Sequence, residues 1–278
     1  MHHEPFDLAL ASGGLRAHRS GPPEGPLVLC VPGLSSNGRA FDHLAERLAG
    51  DGRQVIAMDL RGRGLSAATP AGTYGWPNHA RDVLEAAALL SDAPVDLVGH
   101  SMGAFVGMQA AAIAPGRVRR LVLVDAVGPP EPQTVETIRR AVERLGATYP
   151  STDDYVDRVR QVGSVVPWSE RWERAFRYEL VDVEGGVRAR TDRSAVLEDL
   201  AYGEAHDPRE LWAGLAVPAL LVRSALPILP GQGFVVSAAD RDAFIARVPG
   251  AEVVEIAANH YGVMTHDATA SAIARFLR

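Results

Sequence analysis

Six short runs of Val, Leu and Ile recur along the chain, and most of them are separated by longer stretches with helical spacing. The runs are Leu27–Val31, Val55–Met58, Val95–Val98, Leu121–Val124, Ala219–Val222 and Val253–Ile256. Continuous apolar runs this short are the mark of strands buried on both faces, so the alternation predicts a largely parallel sheet covered by helices on both sides. Helices are expected near 38–49, 77–90, 102–114, 238–248 and 268–277. Segments 6–10 and 15–19, joined at Ser12-Gly13-Gly14, read as an antiparallel pair at the sheet edge. The alternation lapses between Val127 and Ala216. Amphipathic stretches at 134–145 and 168–180 suggest a helical insertion there. The expected organisation is therefore a core of residues 1–126 and 217–278 with an inserted helical cap, 127–216.

Composition narrows the chemistry. All 28 basic residues are arginine, which removes lysine Schiff bases, lysine-anchored pyridoxal phosphate and the lysine-dependent phosphate loop. A single cysteine, Cys30, cannot form an internal disulfide, a thiolate zinc cage or an iron–sulfur site. Neither cofactor nor metal is expected, although composition does not exclude a metal held by histidine and carboxylate. The net charge of −6 offers no basic surplus for nucleic acid or an anionic membrane. No apolar stretch approaches the length of a membrane span and the first residues lack the pattern of a signal peptide, so the default expectation is cytoplasmic.

Directly after the run at Val95 comes Gly99-His100-Ser101-Met102-Gly103, followed by the helical stretch from Ala104. G-x-S-x-G between a buried strand and a helix describes a turn so tight that only small residues fit two places either side of the serine. It raises the serine hydroxyl above the sheet and aims the first amides of the helix at it.

With this elbow, Val31-Pro32-Gly33-Leu34-Ser35-Ser36, Asp59-Leu60-Arg61-Gly62-Arg63-Gly64-Leu65-Ser66 and Asn259-His260-Tyr261, the chain resembles the α/β-hydrolase family over nearly its whole length. The resemblance implies an α/β-hydrolase fold with a mostly parallel eight-stranded sheet, Ser101 as nucleophile and His260 as its base. His260 also suits the role because it follows the last strand, at the sheet edge where Ser101 emerges. His100 is set aside because neighbours within such a turn point apart. The orienting acid is less determined. The turn after Ala219–Val222 carries no carboxylate, a departure from the commoner family pattern. This leaves Asp125, at the end of the preceding strand as in some members, with Asp240 as competitor, although Ser237-Ala238-Ala239-Asp240 already reads as a helix cap.

The amides of Leu34 and Met102 are the expected oxyanion donors. Gly33, Ser35, Trp168 and Tyr261 are expected to touch substrate, Trp168 sharing a helix face with Trp172 and Phe176. Asp59 and Arg61 are expected to pair with each other and hold their turn. The reaction implied is hydrolysis of a small carboxylic ester, lactone or thioester through an acyl-enzyme. A ligand-binding, receptor-like protein of the same fold and an acyltransferase are the alternatives. Oligomeric state is left open.

Overall fold

A computed structural model describes residues 3–278; Met1 and His2 lie outside it. Eight strands form one sheet: β1 (Glu4–Leu10), β2 (Gly13–Ser20), β3 (Leu27–Val31), β4 (Gln54–Met58), β5 (Val95–His100), β6 (Val118–Val124), β9 (Ala219–Ser224) and β10 (Ala251–Ile256). Their spatial order is β1-β2-β4-β3-β5-β6-β9-β10. β2 pairs antiparallel with both β1 and β4, and every other pairing is parallel. Burial follows position. β3, β4, β5 and β9 are buried at every residue, whereas the edge strand β1 buries only two.

Helices cover both faces. α2 (Trp76–Leu90), α3 (Met102–Ile113) and α8 (Ala238–Arg247) enclose one apolar cluster, and α1 (Asp42–Gly50) and α9 (Asp267–Phe276) enclose the other. α3 lies close to the sheet because its inner face is small. A Cβ on Gly107 would come within 2.9 Å of Leu121 Cδ1.

The segment between β6 and β9 carries α4 (Pro132–Glu143), α5 (Thr152–Val162), α6 (Glu170–Tyr178) and α7 (Arg193–Ala205). It also holds an antiparallel ribbon of β7 (Leu180–Val183) and β8 (Gly186–Ala189), so the insertion is not wholly helical as expected. The ribbon escapes the strand pattern because it is short and only partly buried, turning at Glu184-Gly185. Tyr155, Val159, Trp172 and Phe176 belong to the same apolar cluster as Val263 and Met264 beside β10, so the insertion packs directly on the core.

Candidate active site

The Gly33–Ser36 loop, Ser101, Asp125 and His260 follow the carboxyl ends of parallel strands, the edge where ligands bind in sheets of this kind. Ser101 joins β5 to α3 with φ 54° and ψ −126°. The turn closes because Gly99 and Gly103 lack side chains. A Cβ on Gly99 would lie 2.2 Å from the Gly103 carbonyl oxygen, and one on Gly103 would lie 2.0 Å from that of Val31. Gly33 serves the facing loop in the same way, since its Cβ would lie 3.1 Å from Ser101 Cβ. Among the described residues, neither the Leu34 nor the Met102 amide donates to another protein group. Met102 is the first residue of α3, where amides have no partner within the helix.

The structure brings Asp125 to His260. His260 Nδ1 lies 2.8 Å from Asp125 Oδ2, and the other carboxylate oxygen accepts the Ser224 amide at 2.8 Å. Burial alone would raise the Asp125 pKa. The hydrogen bond and charge of His260, with the Ser224 donors, outweigh it and hold the carboxyl below its ordinary range. Because an ionised carboxylate only accepts, His260 carries its proton on Nδ1, leaving Nε2 as the ring's free acceptor. Asp125 also has a strained backbone, φ 51°. Asp240 is engaged elsewhere: Ser237 Oγ accepts its amide at 3.0 Å and donates to its carboxylate at 2.9 Å, capping α8, and Arg209 stands 3.5 Å away.

Ser101, His260, Gly33, Leu34, Ser35, Met102 and Tyr261 all line one cavity of about 960 Å³. Its remaining wall comes largely from the insertion, with Ile138, Arg144, Trp172, Phe176 and Asp199 among the lining residues. Trp168 does not line it. Ser169 caps α6, so the helix starts at Glu170 and Trp168 lies ahead of it, stacked on Phe176 with Arg160 4.8 Å over a ring.

Two further expectations are corrected. His100 does not turn away from the site: its Nε2 reaches the His260 carbonyl at 3.0 Å and the two rings lie 4.6 Å apart. Complete burial, then the neighbouring His260, pushes the His100 pKa down to about 3, so this ring is neutral and donates from Nε2. Asp59 and Arg61 do not pair with each other. Asp59 accepts the Gly38 and Leu65 amides and the Tyr178 hydroxyl, while Arg61 grips Asp82 with two bonds of 2.7 and 2.6 Å. Gly64 leaves room for this, as its Cβ would fall 2.1 Å from Asp59 Oδ2.

A family model described as the alpha/beta hydrolase fold matches residues 26–267. The chain belongs to the α/β-hydrolase family. Among curated family members it is 40% identical to a 3-hydroxybutyrate-oligomer hydrolase of Cupriavidus necator over 47% of this chain and 42% of that one. It is 36% identical to an N-formylmaleamate deformylase of Pseudomonas putida over 65% and 62%. The chain thus spans less than two thirds of the length of these relatives. Among solved structures, an E-2-(acetamidomethylene)succinate hydrolase superposes with a TM-score of 0.87 at 25% identity, covering 99% of each chain. Among the described residues of this α/β-hydrolase chain, no group of three or more His, Cys, Asp or Glu side chains could hold a metal ion, and no helix is long and apolar enough to cross a membrane.

Sequence reasoning missed the buried set Arg63, His79 and Asp199, and the pair Arg144–Glu179. Arg63 stands inside the turn motif, but its partner is 136 residues away on a helix whose pattern is indistinct, so no local signal joined them.

Proposed function

We propose that this α/β-hydrolase chain is a serine hydrolase that opens a carboxylic ester, lactone or thioester of a small molecule through an acyl-enzyme. The observation that carries the reading is the 2.8 Å bond between His260 Nδ1 and Asp125, which holds the imidazole with Nδ1 toward the carboxylate, in the wall that also presents Ser101. A serine hydroxyl needs such a base, because it is almost never ionised at neutral pH. In the proposed cycle His260 Nε2 takes the Ser101 proton as Oγ bonds to the acyl carbon. The Leu34 and Met102 amides hold the oxyanion, and the proton passes to the leaving group as its bond to carbon breaks. Water, activated by the same nitrogen, then adds to the acyl carbon and releases the acid and Ser101. Asp125 accepts Nδ1–H throughout and stabilises the imidazolium.

Trp76, Phe105, Ile138, Trp172, Phe176 and Ile228 give the cavity apolar surface for an acyl or alcohol group. Two of the similar proteins carry names with an N-formyl or acetamido group. They favour a second reading, in which the bond cleaved is an acyl C–N bond. The same residues would perform it, with His260 protonating a leaving nitrogen.

Paired p-nitrophenyl esters and N-acyl compounds of the same acids, assayed on the wild type and Ser101→Ala, test both. Ester turnover that falls on the order of 10⁶-fold in the variant is expected for the first reading. Faster turnover of N-acyl compounds favours the second. No turnover of either, with no labelling of Ser101 by a fluorophosphonate, leaves the receptor-like alternative, and transfer of the acyl group to an added alcohol in preference to water marks an acyltransferase.

A further inference from the structure

The inserted segment reaches the Gly33–Ser36 loop through a buried arginine. Arg63 has no solvent exposure, and its guanidinium is spent on three acceptors. Nε donates to the Leu34 carbonyl at 3.0 Å, one terminal nitrogen to the Arg61 carbonyl at 3.0 Å, and the other to Asp199 at 2.5 Å. Asp199 lies on α7, in the insertion, and its side chain is equally sealed from water. It also accepts the Gly75 amide at 2.6 Å and His79 Nε2 at 2.9 Å. Burial drives the His79 pKa down against the pull of Asp199, so the ring is neutral and the carboxylate balances Arg63 alone. A guanidinium removed from water is strongly unfavourable unless every donor is bonded and its charge is met. The carboxylate on α7 is therefore the condition on which Arg63 can stand beneath Leu34.

The rest of the loop shows what that position achieves. The Gly33 carbonyl accepts the Ser36 amide at 3.1 Å, and the Ser35 carbonyl accepts Arg144 at 3.4 Å. Three successive carbonyls are thus held on donors, and the Leu34 amide has no protein acceptor. A carbonyl dipole swung toward a developing oxyanion would oppose it, whereas fixed amides favour it at no reorganisation cost.

We infer that Arg63 and Asp199 are positioning residues that keep the Leu34 amide aimed at the oxyanion, so that seating of α7 of the insertion on the core sets the catalytic competence of the core loop. The inference rests on the serine-hydrolase reading above. It requires that losing the Nε donor lower turnover without changing substrate binding.

Two variants test it. Arg63→Lys keeps a cation for Asp199 but removes Nε, and Arg63→Gln with Asp199→Asn removes both charges together, leaving no buried ion unpaired. The readouts are kcat and KM on p-nitrophenyl butyrate, and inhibition by an alkyl trifluoromethyl ketone, whose adduct with serine carries an oxyanion. In folded variants kcat is expected to fall about 10- to 100-fold, less than the loss of an oxyanion donor itself, with KM within about threefold and ketone affinity reduced in parallel. Turnover within about twofold of wild type in both variants would overturn the inference, as would a fall in kcat with ketone affinity intact. So would failure of both to fold, which would make the pair purely structural. A wild type that neither turns over esters nor is labelled at Ser101 overturns the hydrolase reading itself, and this inference with it.

Discussion

The two sides of the cavity are held by different forces. On the core side the groups sit at strand ends and are fixed by backbone. Among the described residues the two non-glycine residues with positive φ are Ser101 and Asp125, and the loops around them close through glycines that a single Cβ would disrupt. Strained backbone of this kind persists only where the surroundings over-determine it. On the inserted side, side chains do the holding. Asn37 Nδ2 donates to the Ala175 carbonyl, Asn259 Nδ2 to that of Ser164, Trp172 Nε1 to that of Tyr261, and Tyr178 to Asp59. Each bond spans the core–insertion seam. The candidate catalytic groups thus lie on the side fixed by backbone, and the facing wall of the cavity is attached by polar bonds from side chains.

The sharpest way to break this comparison is through the acid. Asp125→Asn is expected to lower turnover by about 10⁴, by stabilising the wrong tautomer of His260, while Asp240→Asn leaves it within a few-fold. The reverse ranking in steady-state assays would show that the strained strand end is not where the orienting charge resides. Next comes glycine. Gly103→Ala must displace the Val31 carbonyl and is expected to cost about 3 kcal/mol or to prevent folding, by the same logic as core overpacking. Gly163→Ala, which ends α5 at φ 73° with nothing within 4 Å, should cost only about 1 kcal/mol, the penalty of the left-handed conformation. Equal losses in urea melts would erase the distinction between backbone-closed core and open insertion.

Acid offers a gentler probe. His100 is neutral in the fold, with a pKa near 3 against an ordinary 6.5. The unfolded chain binds the extra proton between those values. Its contribution is therefore complete above pH 6.5 and declines by up to about 1.4 kcal/mol per pH unit as pH falls toward 3. Asp125, whose pKa is also depressed, keeps its contribution down to the ordinary carboxylate range near pH 4 and loses it below. The urea midpoint of the wild type should therefore drop between pH 7 and 5, and His100→Gln should flatten it in part, since burial depresses His18 and His79 as well. Parallel slopes would mean that His100 is not among the groups that titrate. The smallest effect concerns Cys30, fully buried on β3, whose thiol burial pushes well above its usual range. Native protein should react with a thiol reagent at a negligible rate until urea opens the sheet, and rapid labelling would show that the core side opens locally.

Much of the core side was readable from short stretches. The runs that became β3, β4, β5, β6 and β9 are apolar at nearly every position because both their faces are covered, and Gly99-His100-Ser101-Met102-Gly103 carries its own geometry. The failures fall where the deciding partner is distant. Asp59 and Arg61 look like a pair in sequence, yet each finds a better acceptor or donor on another element. Trp168 has helical spacing with Trp172 and Phe176, but the Ser169 cap starts the helix after it.

By itself the sequence determined the layered sheet and the strand-turn-helix at Ser101, since each follows from side-chain periodicity or from glycines adjacent in the chain, whereas His260 and the Leu34 loop were expected from the resemblance of their motifs to the family's. Only the tertiary structure decided that Asp125 rather than Asp240 meets His260, that Trp168 stands outside the cavity, and that Asp199 reaches Arg63. Such pairings depend on the desolvation of charges brought together from over a hundred residues apart, and that balance exists only once the elements have packed.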